Sequence, residues 1–527
     1  MIGDIPGLAW SVPNLEAYAQ VTLNNVDTNE VSACLTATLS NGWSVRRTEV
    51  AWIAAAVVIL ALVAAFIHST FRWSPSPAVY RWYDILYTLQ WAVGVGLLNL
   101  NYPSVYNNFA LNFPWAMGLF YNSNIEQAIN NMRGSTGAKL TDESYGSTVY
   151  VNRKLSPYNA FRSLNLNSYF RDDSTPSDFT SFMADVGVTG SNSTLASEFM
   201  KRATIPTVDT NNASSQIEPG IPVYVNSLSI PTANAFDTIF IIYLIAILVF
   251  IGIHLIWFLV IFLLDRSRSS ATRGTGWIGH NRRGFLAFFG GNMLRLVSLN
   301  CQFEGDALMW RPFHHQCMVF LLPILIFAFF QFTIGRSDSW LSIFLAAVAV
   351  AFTCLPLVIV FVFSLRRTRG DYQDDSAISP LYTRARWYGS VGMIYRQYRQ
   401  KYHFWWFAPM AIATFAQAAF VGFGRNNRWA QVIGLMVVEF IVLVCLIGFR
   451  PHKDRKGDWL APILSFLRLA SFGLLIAFIP SVGVDPIPRT IIGFVILAVY
   501  GIPFVLLFFG LLFNLCESRS DCSRELD

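Results

Sequence analysis

The sequence predicts an all-α polytopic membrane protein with about nine transmembrane helices. Three observations carry that reading. Hydrophobic residues make up 54% of the 527 and charged residues only 13%, against about 25% charged in soluble domains. The apolar residues gather into nine runs of the length a bilayer requires, about 17–25 residues. Lys and Arg concentrate in alternate short loops, the pattern that sets membrane orientation. The same figures exclude an ordinary soluble enzyme, a disordered chain and a disulfide-dense secreted scaffold. The net charge of +6 lies in those loops, so it signals topology and not a nucleic-acid surface.

Residues 1–48 hold alternating, strand-like sequence over Ala17–Val45, with a turn expected at Asn41-Gly42. Two strands cannot bury a core alone, so this stretch reads as the tail of a larger outer β domain. The nine runs follow at 50–71, 83–102, 236–264, 315–335, 340–365, 404–423, 429–449, 459–480 and 490–514. The second is the weakest, because it carries Asp84, Gln90, Asn99 and Asn101; a soluble core helix is the competing reading. Val105–Phe120 is apolar but too short to span after Pro103, which suggests a re-entrant or interfacial segment closing the region 49–120.

Assigning the N-terminus outside puts 21 Lys and Arg in the inner loops. The short outer loops hold only a handful, Arg336, Arg425 and Arg428 among them. The loop 121–235 is then lumenal or extracellular. It carries two glycosylation sequons, at Asn192 and Asn212, on the side the charges had selected. Residues 236–515 form the seven-helix remainder of the core and 516–527 a cytosolic tail. Cys34 alone faces the oxidising side and lacks a partner for a disulfide within the chain.

Ordered segments along the chain give it a family likeness. They are Cys34–Trp43; Leu98-Asn99-Leu100-Asn101-Tyr102-Pro103-Ser104-Val105-Tyr106; Asn112-Phe113-Pro114-Trp115; and Gly335-Arg336-Ser337-Asp338-Ser339-Trp340. Tyr395–Tyr402 running into Trp406-Phe407-Ala408-Pro409, then Gly422–Asn427 and Arg450-Pro451-His452-Lys453, complete the set. In this order the segments resemble the fungal TRP-like family, which includes flavin carrier proteins and polycystin-like channels. The resemblance implies a signal peptide, an ML-like outer domain, nine spans and a cytosolic tail. Against that pattern, the chain is expected to carry only the end of the ML-like domain. The family is linked to FAD entry into the endoplasmic reticulum, to calcium movement and to cell-wall maintenance. The expected location is therefore an integral membrane protein of the endoplasmic reticulum or plasma membrane.

Ionisable and polar residues inside spans are costly, which makes them candidates for function. Four are singled out: His254, Gln417, Glu439 and Arg468. Glu439 lies ten residues from the inner end of its run and Arg468 nine from the same face. At 1.5 Å per residue these are depths of roughly 15 and 14 Å, so the two should meet if their helices are antiparallel neighbours. His254 sits at a similar depth in the third span. A polar layer there is where transporters commonly hold cargo; a buried ion pair that only locks two helices is the alternative. Gln417 reads as interhelical glue.

Arg282, Arg283 and Arg295 in one inner loop, and Arg396, Arg399 and Lys401 in the next, are interleaved with aromatic residues. They form two basic belts suited to anionic lipid, although topology charges explain them equally well. Gly274–Gly279 spells GxGxxG, but no βαβ unit can be built around it, so it is not a dinucleotide fingerprint. No catalytic or metal-ligating motif stands out, so the chain is not read as an enzyme, and no stably bound cofactor is expected. FAD as cargo and calcium as permeant ion are the two transport readings, and a homo-oligomer is left open. The alternative is a lipid or cell-wall sensor that transports nothing.

Overall fold

The computed structural model describes residues 13, 16–24, 31–40, 43–71, 77–138, 220–249, 251–252, 256, 306–335, 338–368, 392–395, 397–399 and 404–524. His254, Asn192, Asn212, Arg282, Arg283, Arg295, Arg396 and Lys401 lie outside the described residues.

Strands β1 (Glu16–Asn24) and β2 (Val31–Ser40) form an antiparallel pair, with Cys34 opposite Thr22 and a bulge at Leu23/Asn24. Asn24 stands opposite Val31 in this pairing, and Asn41-Gly42, where a turn was expected, lie outside the described residues. Then come α1 (Thr48–Phe71), α2 (Pro77–Gly96), α3 (Ser104–Ala110) and α4 (Ser123–Ser135). Beyond the 139–219 stretch lie α5 (Ile221–Asn226) and α6 (Thr232–Val249). They are followed by α7 (Asp306–Ile334), α8 (Trp340–Thr368), α9 (Gly392–Tyr395), α10 (Phe407–Phe423), α11 (Arg428–Phe449), α12 (Arg455–Leu474) and α13 (Pro486–Arg524).

Among the described residues six helices are long and apolar enough to cross a membrane: α6, α8, α10, α11, α12 with its 3-10 extension, and α13. Their large apolar side chains point outward, for example Phe344, Leu355, Phe440, Ile441, Ile502 and Leu506. A protein in water would not expose so wide a belt. The remaining apolar runs are helical over parts of α1, α2 and α7.

The second run needs correction. Its helix is Pro77–Gly96, displaced toward the N-terminus from the expected 83–102. Pro77 suits the first helical position, where its missing N–H is not needed. After Gly96 the chain leaves the helix through short turn bonds such as Leu97 N–H to Gly94 O. Asn99 and Asn101 therefore lie beyond the helix and are not polar residues within a span. The expected 105–120 segment is α3 followed by a 3-10 turn at Pro114–Met117, buried against α2 and α13.

Helices α2, α7, α10, α11 and α12 pack in succession. The ring closes where Trp91 of α2 meets Phe472 of α12 edge to face, 5.3 Å between ring centres. Helix α13 packs behind α2 and α12, and α8 behind α7. The α7–α10 contact is close: a Cβ on Gly422 would fall 2.6 Å from Cβ of Phe329 and 2.8 Å from Ile326 O. Only glycine fits there.

The segments noted in the sequence meet in pairs at the ends of this ring. At one end Asn99 donates to Arg425 O (2.6 Å), its backbone N–H donates to Gln431 Oε1 (2.9 Å), and Arg428 donates to Asn99 O (3.1 Å). At the opposite end Tyr398 and His452 form an antiparallel bridge. There Arg399 N–H donates to Pro451 O and Lys453 N–H to Gln397 O, both at 2.9 Å.

Candidate transport site

Glu439 and Arg468 meet. The antiparallel packing of α11 and α12 brings Arg468 Nη2 to 2.9 Å and Nε to 3.0 Å from Glu439 Oε1. Ser465, three residues before Arg468 and so on the same helix face, donates to the same oxygen at 2.6 Å. The other carboxylate oxygen accepts from Gln417 Nε2 of α10 at 2.6 Å. Glu439 is 1% exposed. With four protein donors on two oxygens its acceptor capacity is taken up, and its charge is balanced by one guanidinium.

Arg468 faces two ways. Its guanidinium carbon lies 5.3 Å from the ring centre of Tyr87 on α2, a cation–π contact. Its side chain also borders a half-open cavity of about 230 Å³ lined by α2, α7, α10 and α12. Tyr83, Asp84, Gln90, Tyr398, Trp406 and His452 supply much of the remaining polar and aromatic wall. Asp84 is paired with Arg81 at 3.1 Å. Gln90 donates to Val319 O (2.8 Å) and Ala116 O (3.2 Å), tying α2 to α7. One turn beyond Arg468, the Ser471 and Tyr500 hydroxyls lie 2.9 Å apart and carry the polar layer to α13.

The floor of the cavity is the 397–399/451–453 contact. Arg399 pairs with Asp458 and donates to His452 O at 2.9 Å, so its head group is engaged within the protein while half exposed. Burial holds the His452 imidazole down at about 4, against the pull of Asp458. At neutral pH it is therefore uncharged. Burial likewise pushes the Tyr398 hydroxyl up.

A second polar cluster lies under α4, near Gly335 and Asp338. Arg133 donates to Asp338 Oδ1 (2.7 Å from Nη2) and to Asn234 Oδ1 (2.8 Å). Glu126 accepts from Asn234 (2.9 Å) and Thr238 (2.9 Å), Asp338 Oδ2 from Gln331 (2.6 Å), and Asp237 Oδ2 from Ser342 (2.8 Å). The sequence reading missed this cluster. Its one signal was Asp338 within Gly335–Trp340, and nothing in one chain says that residues 126, 237 and 338 share a site. Ser465, Tyr87 and the cavity role of Asp84 were also missed, since tyrosine and serine are unremarkable in membrane helices.

A ring of helices with an apolar outer belt and a polar, aromatic interior defines an integral membrane protein of the channel or carrier class. Matching of the chain to family models places it further. Residues 50–303 and 307–519 match the transient receptor potential (TRP) ion channel family, and residues 1–45 match the ML-like domain. The chain belongs to the TRP ion channel family. It is 44% identical to the TRP-like ion channel protein flc1 of Cryptococcus neoformans, over 98% of this chain and 63% of that protein. It is 22% identical to the TRP-like ion channel pkd2 of Schizosaccharomyces pombe, over 97% of this chain and 64% of the relative. It is 23% identical to the putative flavin carrier protein 3 of Saccharomyces cerevisiae, over 90% and 52%. The chain thus spans between half and two thirds of these relatives. No solved structure matches it significantly.

Proposed function

We propose that this chain is the membrane core of an ion channel that conducts cations, calcium among them, through the ring of α2, α7, α10, α11 and α12. The observation that carries the reading is the cavity beside Arg468. At about 230 Å³ it falls below the roughly 300–1,000 Å³ of pockets that enclose drug-sized ligands. It has room for water and ions, and a flavin dinucleotide would not fit wholly inside it. The Glu439–Arg468 pair then serves as a charge-neutral constriction at mid-membrane depth. Relatives named as TRP-like ion channels support the assignment.

Nine spans, with the N-terminus outside and the C-terminus in the cytosol, follow from the loop charges. The bilayer surrounds the apolar belt, and assembly into a homo-oligomer fits a channel. Delivery of FAD into the endoplasmic reticulum is the second reading, favoured by relatives named flavin carriers and by a cationic Arg468 on the cavity wall. It requires the cavity to widen.

The test is current through the purified full chain in a planar bilayer, with calcium and potassium as the only cations, beside FAD uptake into liposomes. Discrete steps of many ions per opening, without FAD uptake, are expected. A silent bilayer with folded protein and saturable FAD uptake would replace the channel by a carrier. Silence in both assays would leave the sensor reading.

A further inference from the structure

The cluster under α4 holds three carboxylates, Glu126, Asp237 and Asp338, against one guanidinium, Arg133, all at least nine-tenths buried. Donor accounting shows where it is incomplete. Both oxygens of Glu126 and both of Asp338 accept hydrogen bonds, and Arg133 is committed to Asp338 and Asn234. Asp237 is different. Ser342 donates to Oδ2, while Oδ1 is buried with no partner among the described residues. A second bare acceptor, Gln331 Oε1, lies in the same network; its orientation is fixed because its NH₂ must face Asp338.

An ionised carboxylate with a bare oxygen, out of water, is costly. Among the described residues of the cluster, Glu126 and Asp338 carry the same charge and Arg133 supplies the one guanidinium. A positive species would relieve the excess of negative charge in the cluster. Two occupants fit oxygen donors: a hard metal ion or a proton. Among the described residues no three acidic, His or Cys side chains converge as metal ligands. A proton needs only one oxygen, and it turns the bare acceptor into a donor in a network short of donors.

We infer that Asp237 is a proton-binding site, and that a proton taken from solvent onto Oδ1 locks α4 over the ends of α6, α7 and α8. The groups facing it are Glu126 and Arg133 from α4, Asp338 from just before α8, Gln331 from α7 and Ser342 from α8. Loss of the proton leaves two uncompensated negative charges beneath α4. The helix then opens to let water reach Asp237. The closed state holds one more proton than the open state, so closure is favoured by acid and opening by base, up to about tenfold per pH unit.

The test uses the full chain in lipid nanodiscs. Infrared spectra at about pH 6, where exposed carboxylates are ionised, should show the C=O stretch of a buried protonated carboxyl that Asp237→Asn removes. Hydrogen exchange across 123–135, corrected for intrinsic rates, should quicken as pH rises in the wild type. It should stay slow and flat in Asp237→Asn, whose amide supplies the donor permanently. Glu126→Gln, which removes one like charge, should move the midpoint to lower pH. No protonated carboxyl band, or the same exchange profile in wild type and Asp237→Asn, would overturn the inference. So would exchange that responds to calcium and chelator in place of pH, since that marks a metal site.

Discussion

The two buried polar clusters solve the same problem in opposite ways. The α10–α11–α12 cluster sets one carboxylate against one guanidinium and fills every oxygen of Glu439 with protein donors. The α4 cluster sets three carboxylates against one guanidinium and leaves Asp237 Oδ1 bare. The first is complete without any outside species. The second is complete only with one. Burial alone therefore does not mark a responsive site; the balance of charges and donors does.

The largest effects should come from removing either guanidinium. Arg468→Gln and Arg133→Gln should each cost about 3–5 kcal/mol, the usual consequence of stranding a buried charge, read as loss of thermal stability in detergent. The comparison sharpens with pH. Acid should ease both losses, because a proton can neutralise the carboxylate that each variant strands. In the wild type only the α4 cluster should respond to pH, and an Asp237→Asn variant with the wild-type pH profile of stability would break the distinction. Glu439→Gln combined with Arg468→Gln should cost less than the sum of the single changes, because the partners sit in one network.

Smaller effects belong to the packing that frames both clusters. Gly422→Ala should cost about 1–3 kcal/mol by forcing α10 from α7. Asn99→Ala should cost a similar 1–3 kcal/mol by leaving Arg425 O without its donor and Arg428 Nε without the Asn99 Oδ1 acceptor. A pH-dependent effect is local to the cavity floor. His452 has its folded value near 4, below the ordinary 6.5, so the unfolded chain binds more protons between those values. Stability should fall as pH drops from about 6.5 toward 4 and level off below. His452→Gln should flatten that part of the curve.

Membrane helices write themselves plainly into a sequence, and α8, α11 and α13 lie where the apolar runs placed them. The weak run did not. Asn99 and Asn101 were counted inside a span because they follow apolar residues, whereas the partners of Asn99, 326 to 332 residues away, and the bond of Asn101 N–H to Phe478 O hold them outside the helix. Depth arithmetic brought Glu439 to Arg468, since α11 and α12 are joined by a short loop and one distance suffices. It said nothing of Ser465 as a donor to the same oxygen, or of Tyr87 stacked on the guanidinium from a distant helix. Asp237 stood at the first turn of an apolar run, where a charge passes for a boundary residue. Its neighbours come from α4 and from Asp338, more than a hundred residues away on either side.

The proposed channel requires that Arg468, held by Glu439, faces a conduction path and that the pair does more than hold two helices together. Unitary current in planar bilayers, compared among wild type, Glu439→Gln and Arg468→Gln, tests it most directly. The account predicts changes of opposite sign in the folded variants. Leaving Arg468 alone should depress cation current, and leaving Glu439 alone should raise it. Equal currents in all three, with differences only in folded yield, would make the pair a structural lock and the path must then lie elsewhere.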